Sequence, residues 1–271
     1  MATYVITGVS RGLGWEFLNQ ISSNYDNTVI GIVRNKPQTD KRIEEELNGR
    51  SNITILEADL TNPDSIKKAA ESSVTATGGK VDYLIANAGF VPQERMFDGL
   101  DVRGEKPAEL EEELSKLIQT NVTGNIHLFN SFMPQVLRGK VKKVVTISSG
   151  MGDPEFIKDY DISESPLYSI SKAAMNMVTA KFSALYKKDG VLFLSICPGM
   201  VEVGHFDKMT PEQLSGLEKM AAKFKRYNPD FTGPDTPPDS IKAVMSVVDN
   251  SSIENGQAGD FLSHFGTKRW V

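Results

Sequence analysis

Short apolar runs alternate along this chain with longer stretches of helical period. The runs are Tyr4-Val5-Ile6, Val29–Val33, Ile53–Leu56, Tyr83–Ala86, Val144–Ile147 and Leu192–Ile196. Most are rich in β-branched residues and lack polar alternation, as a strand covered on both faces requires. Between them the pattern predicts helices at Gly12–Ser23, Asp40–Asn48, Pro63–Thr77, Ala108–Arg138 and Tyr168–Lys188. A last short strand is predicted near Asp260–Ser263. This order reads as βαβ units with right-handed crossovers. It therefore predicts an α/β fold, a doubly wound parallel sheet with helices on both faces.

Three segments break the rhythm: Phe90–Pro107, the acidic stretch Gly150–Pro166, and Val203–Asp239. The third holds a helix-like stretch, Pro211–Phe224, followed by Gly233-Pro234 and Pro237-Pro238. Each segment follows the carboxyl end of a strand, where open α/β sheets bind ligands. They are expected to form site walls, with 203–239 as a substrate lid. Peripheral insertion without a role is the alternative.

Composition narrows the class. The 271 residues are expected to form a single domain, with 39% hydrophobic and 24% charged residues, and a net charge of −5. No Lys/Arg-rich run exists, which argues against nucleic acid as a partner. No stretch is apolar enough to span a membrane. The N-terminus has no charged leader, so a cytoplasmic location is expected. The single cysteine, Cys197, excludes an internal disulfide and a cysteine-based metal cluster. His127, His205 and His264 show no metal spacing; packing is expected for His127, and surface polarity or a substrate contact for His205. Met200, Met209 and Met220 fit either adaptable lid contacts or helix packing.

Candidate chemistry starts at the first strand-to-helix turn, Thr7-Gly8-Val9-Ser10-Arg11-Gly12-Leu13-Gly14. Glycines at 8, 12 and 14 permit a tight turn. The helix that follows aims its positive N-terminal dipole and free backbone N–H groups, around Ser10–Leu13, at the turn. Such a site suits a pyrophosphate. The second strand ends Val33-Arg34-Asn35, where an NAD-selective site would carry an acid on the ribose hydroxyls. Arg34 could pair with a 2′-phosphate, and Arg11 could add a second cation. Together they point to NADP(H); either alone could be a solvated surface arginine.

Tyr168 and Lys172 stand at i and i+4 of one predicted helix. A tyrosine is a poor acid–base group near neutrality unless its pKa moves, and a nearby ammonium is expected to lower it.

With these residues in hand, the chain resembles the short-chain dehydrogenase/reductase family in its single-domain, Rossmann-like branch. The resemblance spans nearly the whole chain. Thr7–Gly14 is similar to the family's Thr-Gly-x-x-x-Gly-x-Gly element. Ala58-Asp59-Leu60 resembles its adenine-contacting site. Asn87-Ala88-Gly89 is similar to its Asn-Ala-Gly element. Asn121, in Thr120-Asn121-Val122, stands where the family places an active-site asparagine. Ile147-Ser148-Ser149 ends the fifth strand, Tyr168–Lys172 gives Tyr-x-x-x-Lys, and Pro198-Gly199 follows the sixth strand. The tail Glu254-Asn255-Gly256-Gln257 and Phe261-Leu262-Ser263 loosely resemble fungal-type carbonyl or ketoreductases.

The resemblance implies hydride transfer between NADP(H) and a carbonyl or alcohol, most simply reduction of a ketone or aldehyde. Tyr168 would handle the proton. Lys172 would bind the nicotinamide ribose, Ser149 would hold the substrate oxygen, and Asn121 would position a water near Lys172. Ser149 rather than Ser148 is expected, because Ser149-Gly150-Met151-Gly152 matches the family's Ser-x-x-Gly. Leu60, Val201 and Val203 are expected at the cofactor with Pro198 and Gly199. Val203 stands where the family often has a threonine. The segment between Ser149 and Tyr168 is also longer than usual. Cys197 is expected to be a small buried hydrophobe. No metal is implied. A homodimer or homotetramer, paired through Ala108–Arg138 and Tyr168–Lys188, is implied. A non-catalytic dinucleotide-binding regulator and an NAD-linked alcohol dehydrogenase are the alternatives.

Overall fold

The computed structural model describes residues 1–204 and 209–271. His205 lies outside the described residues. Among the described residues, seven strands form one parallel sheet: β1 (Thr3–Thr7), β2 (Thr28–Val33), β3 (Ile53–Glu57), β4 (Tyr83–Ala86), β5 (Lys143–Ile147), β6 (Leu192–Cys197) and β7 (Phe261–Ser263). Their order is β3-β2-β1-β4-β5-β6-β7. The direction of winding reverses between β1 and β4, which opens a crevice beyond their carboxyl ends. The strands match the predicted apolar runs to within a residue or two.

The helices are α1 (Gly12–Ser22), α2 (Lys36–Glu46), α3 (Pro63–Thr77), α4 (Leu100–Gly104), α5 (Pro107–Leu117), α6 (Gly124–Val136), α7 (Pro154–Asp159), α8 (Pro166–Tyr186), α9 (Pro211–Tyr227) and α10 (Pro237–Asn250). Period-2 geometry splits each strand between two cores. Tyr4 and Ile6 of β1 pack with Trp15, Phe17 and Leu18 of α1 and with Ile241, Val244 and Val248 of α10. Val5 packs on the other face, with Ile66 of α3 and Leu128, Phe129 and Phe132 of α6. A third cluster, Phe156, Ile162, Cys197, Met220, Phe224 and Trp270, lies outside this sandwich.

Three expectations need correction. The stretch Ala108–Arg138 is not one helix: a π-helical turn, Ile118–Thr123, separates α5 from α6. The apolar period runs on through this turn, so the pattern could not reveal it. Pro237-Pro238, at the end of the third irregular segment, opens α10, a helix that the pattern did not predict. Thr236 accepts the Asp239 amide as N-cap, and proline at the first helical position loses no needed donor. The stretch Gly150–Pro166 is not simply a loop, because it holds a 3₁₀ turn (Gly150–Gly152) and α7. No helix among the described residues is long and apolar enough to cross a membrane.

Candidate active site

The first wall of the crevice is backbone. Gly8 and Gly12 have φ of 76° and 56°, which a Cβ would strain. A Cβ at Gly14 would collide with the Gly8 carbonyl oxygen. Asn87, after β4, donates its amide to Thr7 O at 3.0 Å, while the Thr7 hydroxyl accepts the Asn87 and Ala88 amides. Ala88 sits so close to Gly8 that no side chain fits between them. The turn and the Asn-Ala-Gly element are therefore one unit. Arg11 caps α1 without any side-chain hydrogen bond, leaving the first-turn N–H groups to the crevice.

At the tips of β2 and β3, Arg34 is exposed and close enough to Asp59 to help hold its carboxyl below the usual range. The larger cause is the Thr61 amide, which donates to Asp59 Oδ1 at 2.8 Å. Leu60 is buried in the α3–α6 core and lies against Gly124. Arg42 of α2 joins the turn without having been among the expected site residues. Its guanidinium stacks 3.8 Å over Trp15 and donates to the Ser10 carbonyl at 3.0 Å, which puts a third cation beside the turn. Nothing in the local pattern marks it, because Arg42 also forms an ordinary i,i+4 pair with Glu46.

A cavity of about 260 Å³ opens beside this wall. Leu13, Asn87, Gly89, Ser149, Tyr168 and Lys172 all line it, as do Pro198, Gly199, Val201 and Val203. Gly8, Ser10, Arg11, Gly12, Gly14, Ala88, Arg34, Asp59, Leu60 and Asn121 do not line it. Ser148 and Ser149 diverge as strand alternation requires. Ser148 donates to Asn176 at 2.6 Å, whereas Ser149 lies close enough to Tyr168 to oppose the rise in its pKa. Ser149 Oγ also accepts the Met151 amide at 3.2 Å.

Electrostatics at Tyr168 run opposite to expectation. Burial pushes its phenol well above the ordinary value, and Cys197 adds to the rise; Ser149 opposes it. Lys172 does not offset this. Its ammonium lies 5.6 Å from the centre of the Tyr168 ring and donates to the Ile147 carbonyl at 2.8 Å. Burial lowers Lys172 to about 8. Asn121, in the π-helical turn, is tied up on both sides of its amide. Oδ1 accepts the Phe90 N–H at 2.7 Å, and Nδ2 donates to Phe90 O and Ser171 Oγ. It still approaches Lys172 across Gly89, where a single Cβ would touch both. π-turns of this kind concentrate at functional sites.

The second wall is made of side chains. Phe156, Leu167, Met96, Met200, Met220, Phe224 and Trp270 contribute to it. Trp270 is buried, stacks 4.2 Å from Phe261, and donates its indole N–H to Asp153 at 3.0 Å. The acidic segment is spent on holding α9: Glu164 pairs with Lys223 at 2.8 Å and Asp161 with Arg226 at 2.9 Å. His127 is half-buried on α6. Cys197 is buried, as expected, and accepts the Gly150 amide at 3.1 Å. Among the described residues no cluster could hold a metal ion.

Comparison with known proteins places this geometry. A short chain dehydrogenase family model matches residues 2–214. The chain is 49% identical over 271 residues to the short chain dehydrogenase virK of Hypocrea virens, covering 100% of both chains. It is 47% identical over 272 residues to the short-chain dehydrogenase/reductase iacC of Pestalotiopsis fici, again covering 100% of both. The fold is similar to NADPH-bound carbonyl reductase from chicken fatty liver, with a TM-score of 0.76, 22% identity and 98% of each chain covered. The chain therefore belongs to the short-chain dehydrogenase/reductase family of oxidoreductases.

Proposed function

We propose that the chain is an NADPH-dependent carbonyl reductase acting on ketones or aldehydes. The observation that carries this reading is the convergence of Tyr168, Ser149 and Lys172 on one largely apolar cavity, with the glycine turn as its neighbour. The residues fit a dinucleotide: the uncapped α1 start and the left-handed Gly8 and Gly12 suit a pyrophosphate. Asp59, Leu60, Asn87–Gly89 and Pro198–Val203 would flank the rest, and Lys172 would hold the nicotinamide ribose.

When bound, the nicotinamide supplies the hydride. Tyr168 supplies the proton to the substrate oxygen. Burial holds the phenol protonated near neutrality, the form that a proton donor needs. Ser149 accepts the Met151 amide and so keeps its own proton for the substrate oxygen, an oxyanion-type role. Lys172 and Asn121, neighbours across Gly89, would return a proton to Tyr168 through a water.

Preference for NADPH rests on Arg34, Arg11 and Arg42 around the turn, and the NADPH-bound chicken enzyme has a similar fold. The single-domain reading, with 203–239 as a lid, is supported by the grip of the acidic segment on α9. Exposed Ile170, Met177 and Leu185 along α8 support pairing of that helix in a homodimer or homotetramer. The proposed site is cytoplasmic.

The test is NADPH oxidation with a panel of ketones and aldehydes. Tyr168→Phe should lose roughly a hundredfold to ten-thousandfold in kcat, and Arg34→Asp should shift preference toward NADH. Equal rates for wild type and Tyr168→Phe on every substrate would sink the reading. Unchanged cofactor preference in Arg34→Asp would sink the phosphate assignment.

A further inference from the structure

Two arginines line the cavity, and they differ in how their donors are used. Arg95 is fully engaged. Its Nε donates to Asp98 at 2.7 Å, Nη1 to Glu109 at 2.9 Å, and Nη2 to the Val102 carbonyl at 3.4 Å. Arg103, on α4, is only 3% exposed. Its Nη2 lies 2.7 Å from Glu113 of α5, yet no acceptor among the described residues meets hydrogen-bond geometry with that buried nitrogen. Burying a guanidinium is costly unless it is paired and its donors are satisfied. The Arg103–Glu113 pair thus brings two charged side chains to the lining of a cavity that is otherwise mostly apolar. Glu113, which also lines the cavity, has a second carboxylate oxygen.

We propose that Arg103 and Glu113 form a hydroxyl-recognition site, so that the favoured substrate is a flat, apolar carbonyl compound with a hydroxyl remote from the reacting carbonyl. This rests on the carbonyl-reductase reading above. The charge balance selects the hydroxyl. Glu113 already neutralises Arg103, so a substrate carboxylate would set two anions against one cation. A hydroxyl accepts from the guanidinium and donates to the carboxylate, using both members. The walls select flatness: Phe156, Phe224 and Trp270 offer aromatic surface, and Met96 and Met220 adapt to it. Other polar side chains nearby are occupied, Ser148 by Asn176 and Ser165 by the Met96 carbonyl.

The probes are 2-acetylnaphthalene and its 5-, 6- and 7-hydroxy isomers. Dissociation constants are measured by calorimetry with NADP⁺ present, and turnover by NADPH oxidation. At least one hydroxy isomer should bind wild type roughly tenfold tighter than the parent, as hydrogen bonds to charged groups allow. That ratio should fall toward one in Arg103→Met and in the charge-free double variant Arg103→Met/Glu113→Leu. Arg103→Lys, which keeps the charge for Glu113 but loses the forked donors, should lower it too and serves if the others fail to fold. No gain for any isomer in wild type, or a gain that survives in a folded variant, overturns the proposal. A gain in binding with no reduction of any probe sinks the carbonyl-reductase reading and leaves the hydroxyl site standing.

Discussion

The two walls of the crevice are built in opposite ways. The wall beyond β1, β4 and β6 is largely backbone: Gly8 against Ala88, Gly14 against Gly8, and Asn87 donating to Thr7. In the proposed function it answers to a ligand whose phosphates and ribose recur unchanged, and backbone donors fixed by strand ends recognise such groups well. The facing wall is side chains from four distant segments, around Met96–Arg103, Met151–Leu167, Met220–Phe224 and Trp270. Ion pairs and aromatic contacts hold it, such as Lys223–Glu164 and Phe156–Tyr227 at 4.7 Å. A wall of that kind can change its substrate by exchanging side chains while the backbone wall stays as it is.

The contrast can be broken by cutting each wall separately. Trp270→Ala should have the largest effect. It leaves a void beside Phe261, removes the bond to Asp153, and should cost about 3–5 kcal/mol in urea denaturation. Turnover of aromatic ketones should fall while NADPH affinity is retained. An equal loss of NADPH affinity would mean the walls are not independent. Gly14→Ala cuts the other wall. The new methyl must displace the Gly8 carbonyl, at about 1–3 kcal/mol, and calorimetry should show NADPH affinity roughly tenfold lower or worse. Unchanged NADPH affinity would show that the turn yields easily.

His264 gives a smaller, sharper test at the seam between the walls. It is buried, lies against Gly199, and has an Asp235 carboxylate 3.6 Å away. Burial lowers its pKa from 6.5 despite Asp235. The unfolded chain therefore takes up the proton first. Stability should fall as pH drops below 6.5 and level off once the folded form protonates as well. His264→Gln should remove that slope, at most about 1.4 kcal/mol per pH unit. Parallel melting-temperature profiles between pH 7.5 and 5 for the two proteins would refute it.

Much of the backbone wall was legible beforehand. Strand ends follow from apolar runs, and Thr7–Gly14, Asn87–Gly89 and Tyr168–Lys172 are local in sequence, so a linear pattern can carry them. The π-helical turn at Asn121 was not legible, because its apolar positions continue the helical period. Arg42, Arg103 and Trp270 were missed for a different reason. Each is unremarkable among its sequence neighbours and gains its place only from a partner far along the chain: Ser10, the cavity or Asp153.

By itself the sequence determined the parallel sheet and its strands. Alternation of short apolar runs and helices admits few topologies, and the crevice position follows from the winding. Only the tertiary structure decided the state of Tyr168, whose burial outweighs the lysine one turn away. It alone decided that the acidic segment clamps α9, and that Arg103 is buried against Glu113 in the lining of the cavity. Desolvation and unmet hydrogen bonds depend on what surrounds a group in space, and no linear spacing encodes that.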